Sequence, residues 1–343
     1  MIPQVKSNYI LSICVPTYNR YNYLLYLLNN IIIQLENDNL WDKVEVCISD
    51  NCSTDDTASI VRNIQNQYSN LKIKYSSNES NVGFDYNLLK SVSLASGEYC
   101  WLFGDDDRFE SGAIFKVVNY LTNDKNGNIN GMIVGCQPYS FDFTSKQSNI
   151  YFLKKKFSSN SPENIYIKLG YFIGFISCQI LRRDCWEDIV NKYDLTRYYN
   201  QYIHLFIISR IMKDYHKWVY LPDLMVGRRN DNDSALGDRS ADAYIKRLRI
   251  DYAFLTVTAD IFGKFSWVYF RHANIVCRYI IFANLQNMRM NINISLLPFF
   301  FEVTRKFWFC PSYFYKILPI FLLPKSTVNI IKKFKQIIRN VRV

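Results

Sequence analysis

CVPTYNR at Cys14–Arg20 is the first of four stretches that together decide the fold. The others are CISDNCSTDDT at Cys47–Thr57, NVGFDYN at Asn81–Asn87 and WLFGDDD at Trp101–Asp107. Three of the four end or follow an apolar run that is typical of a buried strand. We therefore expect their polar residues to meet along the carboxyl edge of a sheet, where open α/β sheets bind their ligands.

Strand-like runs alternate with helical patterns along the chain. We predict strands at residues 9–15, 44–49, 71–75, 99–103, 131–135, 172–181 and 218–221, the last one ended by Pro222. Amphipathic patterns predict helices near residues 24–32, 60–68, 86–94, 111–121, 186–193, 200–212 and 243–290. Strands that alternate with helices need crossover connections, so the fold class is α/β with a mainly parallel central sheet flanked by helices.

Basic residues are concentrated at the C-terminal end. Of the net charge of +11, residues 301–343 carry +8, from nine Lys or Arg and one acid. Such asymmetry indicates a polyanionic partner, either nucleic acid or anionic lipid. Residues 296–323 are apolar and aromatic, but proline and charge interrupt them, which favours short amphipathic segments on a membrane over a transmembrane helix. KKFK at 332–335 and Arg339 would face lipid phosphates, and a helical pair packed on the core with a solvated tail is the alternative.

Cysteine and histidine usage argues against a structural zinc site. The nine cysteines show no CxxC spacing, and the chain has three histidines. The first residues lack the basic region and apolar core of a signal peptide. We therefore expect free thiols in a reducing cytoplasm.

Asp105, Asp106 and Asp107 stand side by side after a buried strand. Adjacent carboxylates repel one another unless a cation lies among them. Mg²⁺ or Mn²⁺ commonly uses one or two carboxylates together with diphosphate oxygens, and it neutralises charge on a leaving phosphate. An acidic turn that caps the next helix is the alternative. Asp50 and Asn51 end another strand, where a carboxylate can accept hydrogen bonds from a base or ribose.

In order and spacing, these four stretches resemble the nucleotide-binding half of inverting-type family 2 glycosyltransferases, which have the GT-A (Rossmann-like) fold. The resemblance covers residues 10 to about 235. More narrowly, SVSLASGEYCWLFGDDD, GFISCQILRRDCW and RRNDNDS are similar to the abequosyltransferase-like branch, whose members attach a dideoxyhexose to a lipid-linked O-antigen unit.

The resemblance implies a nucleotide-sugar site along this edge, with Asp50 at the base. The candidate contacts are Pro16, Thr17, Tyr18, Arg20, Asp50, Asn51, Asn81, Gly83, Asp85 and Asp105. The family's metal motif is D-x-D followed by another Asp, and Gly104 stands in place of the first Asp. Asp106 best matches the metal ligand, with Asp107 and Asp105 beside it.

A later segment resembles the loop that closes over the diphosphate in this family. It contains Arg228, Arg229 and Ser234. A solvated charged loop is the alternative.

The general base departs from the family pattern. Family members usually place Glu-Asp at a helix start, about seven residues before an Arg. Arg210 matches that Arg, but the expected Asp position falls near His204. Imidazole titrates near neutral pH, so His204 is the candidate base. A buried structural histidine is the alternative, Asp194 and Asp223 are further candidates, and both an inverting and a retaining course stay open.

We therefore expect a glycosyltransferase domain over residues 1–240, with 10–136 binding the nucleotide sugar and 137–240 forming the acceptor half and closing loop. Residues 241–343 form a helical, aromatic-rich C-terminal region with a basic tail that associates with an anionic membrane. The donor would be a nucleotide sugar, more narrowly a CDP-linked 3,6-dideoxyhexose such as abequose. The acceptor would be a glycan on polyprenyl diphosphate, at the inner face of the bacterial cytoplasmic membrane.

Three alternative functions remain. A hexosyltransferase of the same fold could use a UDP-, GDP- or dTDP-sugar. A nucleotidyltransferase would show a Gly-rich first loop with Arg or Lys, which PTYNRYNY is not. A nucleic-acid-binding protein is disfavoured because the basic residues of the tail are interleaved with Ile, Leu and Phe.

Overall fold

The computed structural model describes residues 9–123, 129–147, 153, 155–199, 202–230, 240–290, 295–324 and 326–327. The chain divides into two compact units, residues 1–232 and 233–343. The described part of the first unit is built on one sheet, and the described part of the second is helical.

Nine strands of the described residues form the sheet of the first unit. They are β1 (Leu11–Thr17), β2 (Val44–Asp50), β3 (Lys72–Ser77), β4 (Tyr99–Leu102), β5 (Arg108–Phe109), β6 (Gly131–Tyr139), β7 (Phe157–Ser159), β8 (Gln179–Arg182) and β9 (Trp218–Arg229). Their order is β3-β2-β1-β4-β8-β6-β9-β5, with β7 also paired to β9. The strands β1 to β4 are mutually parallel, β6 and β9 share their direction, and β5, β7 and β8 oppose it. The predicted mainly parallel sheet is confirmed.

Helices flank the sheet in the positions that the apolar spacing predicts, except for one at Pro162–Leu169 that it does not predict. Those of the first unit are α1 (Tyr21–Asp38), α2 (Thr57–Gln67), α3 (Gly83–Ser93), α4 (Ala113–Thr122), α5 (Pro162–Leu169), α6 (Arg183–Lys192) and α7 (Ile203–Asp214). In α1 the residues buried at intervals of three and four include Leu24, Leu27, Leu28, Ile31 and Ile32. That spacing places one apolar face of the helix on the core.

The expected strand at residues 172–181 is wrong over most of its length. Two 3₁₀ turns, Phe172–Gly174 and Ile176–Cys178, precede a strand confined to β8. The Gln179 side-chain amide donates to the carbonyls of Phe172 (3.1 Å) and Phe175 (3.0 Å), which holds the chain in this compact turn. The turn places the Ser177 carbonyl 2.8 Å from the indole nitrogen of Trp101 in β4.

The expected end of a strand at Pro222 is also wrong, because β9 continues to Arg229. The register between β6 and β9 shifts on both sides of Gly135. This irregularity lets proline sit in a strand, since a bulge removes the need for its missing N–H. Gly135 permits the close approach, because a Cβ there would lie 2.6 Å from the Asp223 carbonyl oxygen and 2.7 Å from that of Pro222.

The regular elements among the described residues of the second unit are all helices, as the sequence predicts. Its α-helices are α8 (Ala241–Asp251), α9 (Ala253–Phe262), α10 (Trp267–Val276), α11 (Phe282–Met290), α12 (Phe300–Phe307) and α13 (Leu318–Leu322). A π-helical turn, Cys277–Ile281, joins α10 to α11. Among the residues that the structure describes, no helix combines the length and the apolar character that crossing a membrane requires. KKFK and Arg339 lie outside the described residues.

We predict that Gly135→Ala destabilises the protein by about 1–3 kcal/mol, because the added methyl group meets backbone carbonyls that cannot rotate away. The free energy of unfolding in urea measures this. Gly227→Ala in β9 is the matched control, because the atoms that its Cβ would meet belong to side chains, Glu110 Oε1 at 2.6 Å and Arg108 Cγ at 2.8 Å, and side chains can shift where backbone carbonyls cannot. An equal loss in both variants would contradict the account of the bulge.

Candidate active site

Side chains after β1 reach across to the acidic residues after β4. The Thr17 hydroxyl donates to Asp105 Oδ2 at 2.8 Å. Arg20 Nη1 donates to Asp105 Oδ1 at 3.0 Å and lies 3.3 Å from Asp106 Oδ2. The parallel pairing of β1 with β4 sets this arrangement, because both chains leave the sheet at the same edge. Pro16 is buried at the end of β1, and Tyr18 is exposed just beyond it.

Asp107 accepts its hydrogen bonds from Ser177 and Arg229, which lie later in the chain. Ser177 Oγ donates to Asp107 Oδ2 at 2.5 Å, and the same Oγ accepts the Gly104 amide at 2.9 Å. The Arg229 amide donates to Asp107 Oδ1 at 3.1 Å. Both carboxylate oxygens of Asp107 therefore accept hydrogen bonds within the protein, whereas the Asp106 side chain is 18% exposed. Of the three aspartates, Asp106 is the one presented to solvent.

Burial makes the acidic run costly to ionise. Burial, together with the charge of Asp106, raises the pKa of Asp105 to about 6, although Arg20 opposes the shift. Burial and the same neighbouring charge raise the pKa of Asp107 to about 8, against the Ser177 hydrogen bond. A cation bound at Asp106 would relieve this repulsion.

Asp50, the predicted base contact, ends β2 and is 1% exposed, surrounded by hydrogen-bond donors. Its Oδ2 accepts the Tyr75 hydroxyl of β3 at 2.6 Å, and its Oδ1 accepts the Ser53 amide at 3.0 Å. The turn after β2 is pinned to the first loop, because the Thr54 amide donates to Asn19 Oδ1 at 2.8 Å. The two loops that follow β1 and β2 therefore form one unit.

Asn51 and Asn81 connect that unit to the start of α3. Asn51 Nδ2 donates to Asn81 Oδ1 at 2.8 Å, and Asn51 Oδ1 accepts the Val82 amide at 2.9 Å. Asn81 Oδ1 also accepts the Gly83 amide at 3.0 Å. Gly83 has φ of +83°, a conformation that glycine adopts without strain. The N-x-G element therefore forms a turn that hydrogen bonds hold next to the end of β2.

Asp85 joins this turn to the helix that carries His204. The Ile203 amide at the start of α7 donates to buried Asp85 Oδ1 at 3.0 Å. His204 follows directly, 1% exposed, with its ring edge-on to Phe84 (6.3 Å between centroids) and Tyr202 (5.4 Å). This places His204 beside the N-x-G turn but within aromatic packing.

The two other candidate bases differ from His204 in their surroundings. Asp194 accepts hydrogen bonds from the Thr196 amide (2.9 Å) and hydroxyl (2.8 Å), and these lower its pKa. Asp223 lies 3.9 Å from Lys116 across an exposed ion pair. Both carboxylates have local structural partners.

Arg228 and Arg229 are the last two residues of β9, and their side chains make different contacts. Arg229 Nε donates to the Asp106 carbonyl at 3.0 Å, and its Nη1 donates to the Phe141 carbonyl. Its guanidinium also lies over Phe143 (4.4 Å) and Tyr23 (4.9 Å). Arg228 lies over Phe175 at 5.4 Å. Arg229 therefore positions the acidic run. Ser234 lies outside the described residues.

Sequence reasoning missed several residues that shape the site. Ser177 bridges Gly104 and Asp107, and Tyr75 bonds Asp50. Asn87 of α3 accepts the Ser49 hydroxyl at 2.7 Å and donates to the Thr17 carbonyl at 3.1 Å. A polar residue inside an otherwise apolar run, as Ser177 is in FIGFISCQIL, is the signal that would have indicated the first of them.

Comparison with known proteins agrees with this arrangement. The family model for glycosyl transferase family 2 matches residues 12–190, just over half of the chain. Abequosyltransferase RfbV of Salmonella typhimurium (strain LT2) is 32% identical over 267 residues, covering 74% of this chain and 76% of that protein. The chain belongs to glycosyltransferase family 2 and is a glycosyltransferase.

A second relative is similar over a shorter region. The GalNAc(5)-diNAcBac-PP-undecaprenol beta-1,3-glucosyltransferase of Campylobacter jejuni is 37% identical over 105 residues, which is 30% of this chain and 32% of that protein. The family relationship of this chain therefore includes an enzyme whose name specifies a lipid-linked acceptor.

Solved structures agree with the fold. Residues 1–349 of S. aureus TarS superpose with a TM-score of 0.53 at 16% identity, covering 84% of this chain and 86% of that one. The mannosyltransferase PcManGT from Pyrobaculum calidifontis, solved with GDP-Man and Mn²⁺, gives 0.52 at 15% identity and covers 96% and 89%. At these identities the likeness shows the GT-A fold alone.

The acidic run fits a divalent cation that shares its ligands with a substrate. In the described part of the chain, no group of three or more His, Cys, Asp or Glu is arranged to hold a metal ion. One exposed carboxylate beside two buried ones suits Mg²⁺ or Mn²⁺, which take one or two protein carboxylates together with phosphate oxygens. Asp106 as ligand, with Asp107 beside it, stays a prediction.

We predict that the metal-free protein loses stability as pH rises from 6 to 8. The raised pKa values of Asp105 and Asp107 mean that the folded state binds their protons more tightly than the unfolded state does. Their contribution is present below about pH 4 and is lost as pH rises through about 6 and then about 8. A fall on the order of 2 kcal/mol is expected, since one pKa unit corresponds to about 1.4 kcal/mol.

Urea unfolding at several pH values in the presence of a chelator measures this, with Asp107→Asn as the comparison. The Asn side chain does not ionise and keeps an oxygen for the Arg229 amide, so its curve should be flatter between pH 6 and 8. Parallel curves for the two proteins would contradict the assignment.

Proposed function

We propose that this glycosyltransferase moves a sugar from a nucleotide sugar to a lipid-linked oligosaccharide in surface polysaccharide synthesis, with a CDP-linked 3,6-dideoxyhexose such as abequose as donor. The observation that carries the proposal is the convergence of Thr17, Arg20 and Ser177 on the acidic run after β4. The 32% identity to abequosyltransferase RfbV supports the narrower donor.

The nucleotide end of the donor would bind along the joined loops that follow β1 and β2, at the end of β2. Asp50 lies at the end of β2 and can accept hydrogen bonds from a base or ribose, as acids at such strand ends do. Asn51, Asn81 and Gly83 are joined by shared hydrogen bonds next to Asp50 and would border the bound nucleotide. The diphosphate would then extend toward Asp106.

The leaving diphosphate needs positive charge beside it. Arg228 lies at the end of β9 with its guanidinium over the Phe175 ring, its charge opposes the rise in the pKa of Asp107, and its planar shape suits bidentate contact with phosphate oxygens. Arg20 is already paired with Asp105 and Asp106, so it acts on the site by holding these carboxylates. A divalent ion at Asp106 would supply the remaining charge when bound.

In the transfer step the acceptor hydroxyl oxygen bonds to the anomeric carbon. The bond from that carbon to the diphosphate oxygen breaks, and the nucleoside diphosphate leaves with the bonding electrons. The hydroxyl proton passes to a base, for which His204 is our candidate. Its place at the start of α7, tied to Asp85 beside the N-x-G turn, supports this choice. A base on the acceptor side would support inversion of the anomeric centre.

The acceptor is proposed to be a glycan on a polyprenyl diphosphate carrier. The Campylobacter jejuni relative supports this, because its name specifies a diphosphate-undecaprenol substrate. Residues 137–240 would form the acceptor half of a catalytic domain that ends near residue 240. The basic tail of the C-terminal region would hold the enzyme at the inner face of the cytoplasmic membrane.

Thermal unfolding with CDP, UDP, GDP or dTDP, each with and without Mn²⁺, tests the donor. A ligand that binds only the native state must raise its stability, by about 2.7 kcal/mol at a concentration 100 times the Kd. We expect the largest increase with CDP and Mn²⁺. Asp106→Asn should lose the Mn²⁺-dependent part of it, and Asp142→Asn, an aspartate on an exposed turn, is the control.

The outcomes separate the alternatives. A preference for another nucleotide would keep the sugar transfer and reject the CDP donor. No increase with any nucleoside diphosphate would reject the nucleotide-sugar site. A metal-independent increase that Asp106→Asn leaves unchanged would reject Asp106 as the metal ligand.

We predict that His204→Gln lowers kcat by about 10²–10⁴, the usual contribution of a general base. CDP-dependent thermal stabilisation should stay unchanged, because His204 would contact the acceptor. Transfer rates at several pH values, with the unfolding midpoint as the control for folding, check this. If activity falls only in proportion to the folded fraction, His204 is a structural residue.

A further inference from the structure

Helix α12 of the second unit exposes aromatic residues to solvent. Phe301 is 78% exposed and Trp308, which follows the last residue of α12, is 60% exposed. Together with exposed Arg305 they recur at spacings of four and three residues, so they share one face. Val303 and Phe307 point the other way and are fully buried. The helix therefore has an apolar side on the core and an aromatic, basic side facing outward.

Helix α10 extends this surface. Trp267 is 58% exposed, and Phe270 and Arg271 follow it three and four residues later on the same face. The Phe270 ring packs against Phe309 with 5.2 Å between centroids, and Phe309 in turn lies 6.2 Å from Trp308. These contacts join the outward faces of α10 and α12 into one surface. We call it the aromatic face, and its members are Trp267, Phe270, Phe301, Trp308 and Phe309.

Cations border the aromatic face. The guanidinium of Arg271 lies 5.5 Å from the Trp267 ring, and the Lys264 ammonium lies 5.8 Å from the ring of neighbouring Phe265, which is itself exposed. Arg305 stands between Phe301 and Trp308 on α12. Exposed tryptophan and phenylalanine flanked by lysine and arginine are characteristic of surfaces that lie in the headgroup region of a bilayer.

The positive charge of the chain is concentrated in the region that contains the aromatic face. Residues 241–343 contain 16 Lys or Arg and four Asp or Glu, a net charge of +12, whereas residues 1–240 contain 25 and 26, a net charge of −1. Anionic lipid attracts a basic surface by about 1 kcal/mol for each cation near it. Two copies of the aromatic face brought together would instead place like charges opposite one another.

We propose that the aromatic face docks on an anionic bilayer, with Trp267, Phe301 and Trp308 inserted at the headgroup level and the bordering cations on lipid phosphates. This extends the membrane association predicted for residues 296–323 and the basic tail to a folded surface that also includes α10. It does not depend on which sugar is transferred. A bilayer contact at this surface would also bring the enzyme to the plane in which a lipid-linked acceptor resides.

Vesicle binding by the full chain tests this proposal. The probes are vesicles of phosphatidylcholine alone and of phosphatidylcholine mixed with phosphatidylglycerol, assayed by co-sedimentation. We expect binding to the mixed vesicles, and a decrease of roughly tenfold in the partition coefficient for the double variant Trp267→Gln, Trp308→Gln, because two large apolar surfaces return to water. Phe115→Gln on α4, an exposed aromatic of the first unit, is the matched control and should bind as the wild type does.

Intrinsic fluorescence tests insertion of the rings directly. Trp101, Trp186 and Trp218 are buried and Trp41 is half-buried in the first unit, so a blue shift that vesicles cause in the wild type and not in the double variant reports on Trp267 and Trp308. Brominated phosphatidylcholine should quench that emission if the rings reach the acyl boundary. CDP-dependent stabilisation of the double variant should equal that of the wild type, which separates failure of this proposal from failure of the donor site.

Three results would overturn the proposal. The double variant could sediment with mixed vesicles as well as the wild type does, which would leave the basic tail as the membrane contact. The wild type could bind without any blue shift or quenching, which would exclude insertion. A dimer that forms without lipid and is lost in the double variant would assign the aromatic face to a second copy of the chain.

Discussion

Three adjacent aspartates at the end of a buried strand are the constraint on which the rest of the site depends. Asp105 and Asp107 lose most of their contact with water, and burial raises the pKa of each. Hydrogen bonds from other parts of the chain offset this cost. Thr17 and Arg20 after β1 donate to Asp105, and Ser177 before β8 donates to Asp107. Only Asp106 keeps access to solvent, so a charged ligand or cation that relieves the repulsion has one place at which to bind.

The same constraint explains why distant parts of the chain are built as they are. The backbone at Arg229 donates to Asp107, and its guanidinium supports the Asp106 carbonyl, so β9 must reach this edge of the sheet. It does so by passing through a bulge opposite Gly135, where the Pro222 and Asp223 carbonyls leave no space for a Cβ. A glycine in β6 thus contributes to the geometry of a site formed mainly by residues after β1 and β4.

Local patterns predicted the elements, and long-range contacts decided where prediction failed. The alternation of strands and helices up to β6, apart from the two-residue β5, was recoverable because each element follows its own hydrophobic period. The turn at Phe172–Cys178 was not, because it depends on hydrogen bonds from one buried glutamine. The sequence predicts that β9 ends at Pro222, because no residue near the proline indicates a bulge. That bulge requires Gly135 of β6, which is far away in sequence.

Motifs in the sequence indicate Asp50 and the acidic run as candidate site residues. Tyr75 and Ser177 belong to no motif, and only the structure shows which side chains they contact. Ser234 and the basic tail stay predictions.

The edge formed by Asp50, Arg20 and the acidic run is proposed to bind the nucleotide end of the donor. A crystal structure of the protein with CDP and Mn²⁺, with anomalous scattering recorded for manganese, tests that claim most directly. We expect an anomalous peak in contact with the Asp106 carboxylate and the diphosphate, and the base beside Asp50 and Tyr75. Nucleotide bound elsewhere on the chain, or a manganese peak away from Asp106, would contradict it.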